Sequence, residues 1–289
     1  MEKFEQIAQD IFLLKVPFGQ VWTGVTLIMG EEILMIDSGP SEADIDTYVI
    51  PALTELGLAP GDIQWLLNTH SHGDHIGGHH LLCQVFSPRV AAFGKAVPKV
   101  ENPVPYAFLT RSRFPEHSPT ASSTLQGVKV DRCLHDGEIL GSLRLIHTPG
   151  HDDDCVCWYH LPTGTLITGD SLQANGTICQ GIGFYKDLPA YRSSLRRLLQ
   201  VGAEAILCGH DYEGLGWWIQ GRSQVVDALN DCAAWVERYD GFLKQYRKAG
   251  VTDPVALAEA LIDHLGCGRP QRLFMALYTV EQHLNGMKE

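Results

Sequence analysis

At 289 residues, with 45% hydrophobic and 19% charged side chains, the chain has globular composition, which excludes intrinsic disorder and allows one large domain. Its formal net charge of −12 disfavours nucleic-acid backbones and anionic membranes as partners, since affinity for both rests on clustered Lys and Arg. No apolar run approaches the roughly 20 residues that span a bilayer. Met1–Glu5 does not read as a secretory signal, and eight scattered cysteines give no paired framework, so a soluble cytoplasmic protein is expected.

The first 40 residues read as strands: 11–16, 25–29 and 33–36, the last two joined by a hairpin turn at Gly30-Glu31-Glu32. Asp37-Ser38-Gly39-Pro40 stops the third strand. Ser41 then reads as an N-cap with Asp44 three residues on. Ile45, Tyr48, Val49, Ala52, Leu53 and Leu56 carry helical spacing, with a kink expected at Pro51. Residues 63–68 form a short buried strand, and further strands are expected at 128–130, 143–147, 155–159, 165–168 and 205–208. Residues 188–201 have the spacing of an amphipathic helix, so mixed sheets covered by helices are expected.

Two segments stand apart. Residues 87–123 carry prolines at 88, 98, 103, 105, 115 and 119 and read as a long loop or lid. Residues 216–289 show no strand candidate and read as helices with a break at 266–270.

Chemistry concentrates just past the strand at 63–68. Thr69-His70-Ser71-His72-Gly73-Asp74-His75 places three imidazoles and a carboxylate within six residues, a dense set of donors for a borderline ion such as zinc. His70 and His72, two apart, can reach one ion from the same side of an extended loop. Asp74 and His75 project from the next turn toward a second. Three more donors, His151, Asp170 and His210, each follow a glycine and are expected at strand ends.

The pattern His-x-His-x-Asp-His, then Gly-His, Gly-Asp and Gly-His, resembles the metallo-β-lactamase superfamily over residues ~10–215. The resemblance implies an α+β fold, a four-layer αβ/βα sandwich with the site along one edge of its sheets. A metallo-β-lactamase-like catalytic domain would occupy 1–215 and a C-terminal helical extension 216–289. It implies that His70, His72 and His151 hold a first metal, that Asp74, His75 and His210 hold a second, and that Asp170 bridges them. Two divalent ions, zinc by default with iron and manganese as alternatives, would activate a water, with Asp74 as proton shuttle. An aspartate rather than a cysteine at position 170 argues against antibiotic hydrolysis, and His72 argues against an oxygen-reducing diiron centre. The tail resembles that of β-lactamase-like hydrolases with a small helical domain, a group that includes thioesterases and endoribonucleases.

The expected activity is hydrolysis of a small acyl ester, thioester or lactone. A metal-dependent phosphodiesterase or ribonuclease is the alternative, and a non-catalytic metal-binding module a third reading. Tyr106, Phe108, Phe114, Tyr185 and Trp217 are the candidates for lining a substrate pocket. Trp217 and Trp218 are otherwise expected to pack the helical tail. Asp152, Asp153 and Asp154 read equally as partners orienting an imidazole or as caps. Cys157 and Cys208 read as core packing, and His79 and His80 as helix residues outside the metal set.

Overall fold

The computed structural model describes residues 2–287. Two sheets organise the chain. In the first, β1 (Glu5–Ala8), β2 (Ile11–Phe18), β3 (Val21–Met29), β4 (Ile33–Ile36), β5 (Ile63–Leu67), β6 (Arg89–Phe93) and β7 (Arg132–Leu134) lie side by side in chain order. The first four pair antiparallel and the last four parallel. In the second, β8 (Ile139–Leu140), β9 (Leu143–His147), β10 (Val156–His160), β11 (Thr165–Gly169), β12 (Ala205–Tyr212) and β13 (Gly216–Gln220) are again neighbours in sequence order, with only β11 and β12 parallel. Parallel neighbours need a crossover, and helices supply it. α1 (Glu42–Asp44), a π turn (Ile45–Val49) and α2 (Ile50–Glu55) join β4 to β5. α3 (Gly73–Ile76) and α4 (His79–Phe86) join β5 to β6, and α5 (Val97–Glu101) and α6 (Pro103–Ser112) lead toward β7. α7 (Leu188–Val201) joins β11 to β12, and α8 (Arg222–Lys248), α9 (Pro254–Leu265) and α10 (Phe274–Gly286) follow β13.

The strands are apolar on both faces, and their two-residue period sorts side chains between separate cores. Ile11 and Leu13 of β2, Leu34 and Ile36 of β4, and Trp65 and Leu67 of β5 face the second sheet, meeting Leu145, Trp158, Ile167 and Leu207. Leu14, Val16, Met35 and Leu66 point the other way, onto Val49, Leu53, Leu82 and Phe86 of the first helical layer. Likewise Cys157, Leu166, Ile206 and Cys208 face Leu195 and Leu198 of α7 and Leu229 and Val236 of α8. Three apolar cores between four layers make an αβ/βα sandwich. Cys157 and Cys208 pack as the sequence suggested.

Several local readings are corrected. Residues 87–123 are not one long loop: β6, α5, α6 and a 3₁₀ turn (Pro115–His117) occupy most of the segment. Four of its six prolines, 98, 103, 105 and 115, sit in the first turns of α5, α6 and the 3₁₀ helix, where a missing N–H costs nothing. Residues 128–130 are not a strand; pairing with β6 begins only at Arg132. Gly216–Gln220 is an edge strand, so Trp217 and Trp218 pack against the inter-sheet core rather than under the helical tail. At Pro51 the helix continues, but the turn before it is widened to π form.

Candidate metal centre

The donors gather where strands of both sheets end. His70 lies just past β5, with His72 as the N-cap of α3 and Asp74 and His75 within that helix. His151 follows β9, and Asp170 follows β11 directly. His210 sits inside β12 rather than at its end, where the ladder to β13 is irregular. Two glycines hold the sheets close enough. Gly169, at φ +49, leaves no room for a Cβ, which would lie 2.3 Å from Thr69 Oγ1. Gly209 needs no unusual backbone; a Cβ there would come 3.0 Å from Asp170 Oδ1.

The structure brings all seven sequence-derived donors together, in the groups His70/His72/His151, Asp74/His75/His210 and His70/His75/Asp170. His72 Nδ1 is 3.0 Å from His151 Nε2, and His75 Nε2 is 3.3 Å from His210 Nε2. Asp170 stands between the groups. Its Oδ1 is 3.4 Å from both His75 Nε2 and His210 Nε2, and its Oδ2 is 3.5 Å from His151 Nε2. Asp74 Oδ2 lies 3.3 Å from His210 Nε2.

Four of the imidazoles are aimed by a partner on the far side of the ring. His151 Nδ1 is 2.9 Å from the Phe184 carbonyl, and His210 Nδ1 is 2.6 Å from that of Trp22. A carbonyl only accepts, so both Nδ1 atoms carry the proton and both Nε2 atoms offer a lone pair inward. His75 Nδ1 donates to Asp37 Oδ2 (2.8 Å), while His72 uses Nε2 toward Asp152 Oδ2 (2.9 Å) and turns Nδ1 inward. Lone pairs facing one another at about 3 Å repel unless a cation lies among them. Donors bound to one tetrahedral ion at about 2.1 Å would lie about 3.4 Å apart, which matches the spacings round His75, His210 and Asp170. His70 Nε2 and Asp170 Oδ1 are moreover buried without a hydrogen-bond partner. The donor set therefore fits divalent cations.

Electrostatics separate the two halves. Burial draws His70 well below its ordinary value, takes His72 down to about 3 with help from the Lys186 charge, and lowers His151. These three are neutral donors. Burial would also lower His75 and His210, but Asp170 and the carboxylates beside it outweigh that, raising His75 well above the usual range and His210 to about 10. Burial opposes the charge on Asp74 and Asp170, yet the adjacent histidines hold both carboxyls below the usual range. This half calls for positive charge, which a proton or a metal ion satisfies.

Comparison with known proteins agrees with this geometry. The family model described as the metallo-β-lactamase superfamily matches residues 20–210. The chain belongs to the metallo-β-lactamase superfamily. It is 25% identical over 232 residues to the probable metallo-hydrolase YqjP of Bacillus subtilis, covering 70% of this chain and 72% of that one. It is 30% identical over 181 residues to a hydroxyacylglutathione hydrolase of Synechococcus, covering 60% and 58%. The chain spans little more than half the length of several curated relatives, among them a fruit-fly β-lactamase-like protein 2 homolog at 55%. A metallo-β-lactamase family protein of Thermus thermophilus shares the fold with a TM-score of 0.73 at 22% identity, over 98% of this chain and 94% of that one.

The other sequence-derived candidates fall into place around this metallo-β-lactamase centre. Asp152 orients His72, while Lys99 Nζ sits among Asp152 (2.9 Å), Asp153 (2.6 Å) and Asp154 (2.9 Å). The acidic run thus already holds an ammonium, and Lys186 Nζ lies a further 2.6 Å from Asp152. His79 shares a hydrogen bond with Ser38 Oγ, and His80 pairs with Glu42; neither joins the donors. Tyr185 is not a pocket wall. It is buried, stacks on Tyr191 and bonds His283 Nε2 at 2.6 Å. Phe184 beside it is an aromatic neighbour of the donors, its ring 4.8 Å from His151 and stacked 6.1 Å from His72. Phe108 is 47% exposed on α6, Tyr106 lies beside Lys99, Phe114 packs on Tyr278, and Trp217 meets Trp22 edge-on. A cleft of about 590 Å³ opens on the His210 side, lined by Trp22, Ile178 and Tyr212 among others.

Sequence reasoning passed over Asp37, Lys99, Lys186 and Gln173. Asp37 carried a usable signal: like the donors, it immediately follows a strand, β4. Gln173 carried none. It accepts from Phe184 N (2.8 Å) and donates to the Asp170 carbonyl (2.8 Å), so its role exists only in three dimensions.

Proposed function

We propose that the protein hydrolyses an acyl ester, thioester or lactone at a pair of divalent ions, zinc by default. In this reading His70, His72 and His151 hold one ion, Asp74, His75 and His210 the other, and Asp170 reaches both. The observation that carries it is Asp170, whose two oxygens face the two histidine groups separately. When bound, such a pair supplies a water of lowered pKa and a Lewis acid for the carbonyl.

The protein's own part is orientation and proton movement. Asp37, Asp152 and the carbonyls of Phe184 and Trp22 hold four imidazoles in fixed tautomers, so little reorganisation is needed during turnover. Asp74 is the proton carrier: its side chain is 20% exposed, against 4% for Asp170, so it alone of the two carboxylates meets both the centre and incoming substrate. Acyl rather than phosphodiester substrates are supported by the net charge of −12 and by the similarity to a hydroxyacylglutathione hydrolase.

Elemental analysis joined to a turnover screen tests the reading. Two transition ions per chain, both lost in Asp170→Ala, and metal-dependent hydrolysis of a thioester, ester or lactone are expected. Metal content near zero after supplementation rejects the dinuclear reading. Cleavage of single-stranded RNA with a steep salt dependence of binding would reverse the substrate ranking.

A further inference from the structure

The residues at the C-terminal end of α6 lie against the centre, and one of them has no charged partner among the described residues. Thr110 is pinned from two sides: its Oγ1 accepts from Lys186 Nζ (3.0 Å) and its carbonyl from the Tyr278 hydroxyl of α10 (3.0 Å). Lys186 Nζ in turn is 3.3 Å from His72 Nε2, so position 110 is tied to a donor of the centre through a single side chain. Arg111 comes next. Its guanidinium lies 4.0 Å over the Phe274 ring, which is 6.1 Å from Phe184, whose ring is 4.8 Å from His151.

The cations around Arg111 are paired. Lys186 has Asp152 at 2.6 Å, Lys99 has three aspartates, and Arg113 binds Glu281. Among the described residues, Arg111 has neither a carboxylate within ion-pair distance nor a side-chain hydrogen-bond partner; its guanidinium rests on the face of Phe274. Burial lowers its pKa, and the Asp74 carboxylate works against this, so the guanidinium feels a residue of the centre. A half-buried guanidinium seated 4.0 Å over a ring has lost part of its freedom, and its five N–H donors lie in one plane, the shape that takes an oxyanion with two parallel hydrogen bonds.

We propose that Arg111 is a specificity-determining residue that grips an oxyanion, a carboxylate or phosphate, carried by the substrate some distance from the bond that is cleaved. This rests on the acyl-hydrolase reading above and narrows it to anionic acyl substrates. The buried rings of Phe274 and Phe184 are the contacts between the guanidinium and His151, so the part of the substrate that passes them is apolar. A bland alternative gives Arg111 only a packing role on Phe274, and it predicts equal effects on charged and neutral substrates.

The test uses the full-length metal-loaded protein, Arg111→Met, which keeps an apolar stem over Phe274, and Arg111→Lys, which keeps a charge. Matched acyl thioesters ending in a carboxylate, a phosphate or a neutral carboxamide are compared. Arg111→Met should raise KM roughly 10- to 100-fold for the charged member that is the true class, with kcat little changed and the carboxamide within about twofold. Arg111→Lys should recover part of that loss. Loss of the same size on charged and neutral substrates, or no loss on either, overturns the proposal. Calorimetric titration with succinate and with inorganic phosphate supplies a readout independent of turnover. Anion binding that Arg111→Met abolishes and Arg111→Lys retains supports the proposal even if no thioester is cleaved, in which case only the acyl reading falls. Wild-type and Arg111→Met proteins that bind both anions equally, or not at all, overturn it.

Discussion

Asp37→Asn isolates the orientation of one donor. Asp37 is buried and accepts three hydrogen bonds, from Thr69 N (2.7 Å) to Oδ1 and from Thr69 Oγ1 (2.8 Å) and His75 Nδ1 (2.8 Å) to Oδ2. Its backbone is left-handed, φ +61, a conformation that asparagine adopts readily, so the substitution keeps the turn. The backbone N–H of Thr69 cannot become an acceptor, so the amide oxygen must stay at Oδ1 and the amide nitrogen must replace Oδ2. That NH2 then confronts His75 Nδ1–H. Relief requires the imidazole to move its proton to Nε2, which removes the lone pair aimed at the centre. Loss of such a partner typically weakens metal affinity 10- to 100-fold, about 1.4–2.8 kcal/mol. Competition against a chromophoric chelator should therefore show one ion weakened by that factor. The ion at His70, His72 and His151 should stay within about twofold. Nitrogen-15 shifts of His75 should report the changed tautomer. Unchanged affinities, or parallel loss of both ions, would refute the argument that Asp37 acts through His75.

Three further outcomes are expected. Asp74→Asn should lower kcat by orders of magnitude while at least one ion is retained; full activity would falsify its role as proton carrier. Lys99→Met takes the ammonium from the buried Asp154 and leaves Asp152 with Lys186 alone, so urea unfolding should show a loss of about 3–5 kcal/mol; an unchanged midpoint would mean that the aspartates relax or protonate at little cost. For Asp240, burial would raise the carboxyl, but the hydrogen bond from His283 and the pairing with Arg192 hold it down to about 2 from 3.8. A depressed folded value stabilises above the unfolded value and is lost as pH falls, so this contribution should vanish between about pH 4 and 2. Asp240→Asn should flatten that part of an acid-unfolding curve, and an identical curve counts against the linkage.

Much of this protein is legible in its sequence because the relevant signals are local. The His70–His75 cluster follows an apolar strand directly, and His151, Asp170 and His210 each follow a glycine. The β-rich apolar runs at 11–16 and 33–36 and the 3.6 period at 188–201 are local too, each confined to one element. Errors came where a local signal had two meanings. Proline density in 87–123 reads as loop, yet four of those six prolines open short helices. Gly216–Gln220 is an edge strand too brief and too half-buried to show alternation, its pairing supplied by β12.

What only the tertiary structure decided depends on contacts between distant segments. Tyr185 and Phe184 are adjacent in sequence, but the loop's docking on α10 turns Tyr185 to His283 and leaves Phe184 beside His151. Gly209 reads as a turn residue, but it lies within β12, where a Cβ would crowd Asp170 Oδ1 and the Gly169 backbone at 3.0 Å. The aiming of four imidazoles by Asp37, Asp152 and two backbone carbonyls, the burial of Lys99 among aspartates, and the seating of Arg111 over Phe274 have no counterpart in spacing. The sequence determined which donor atoms are present and in what order. The packing of the two sheets determined which nitrogen of those histidines faces inward, because that choice is made by the hydrogen bond on the far side of the ring.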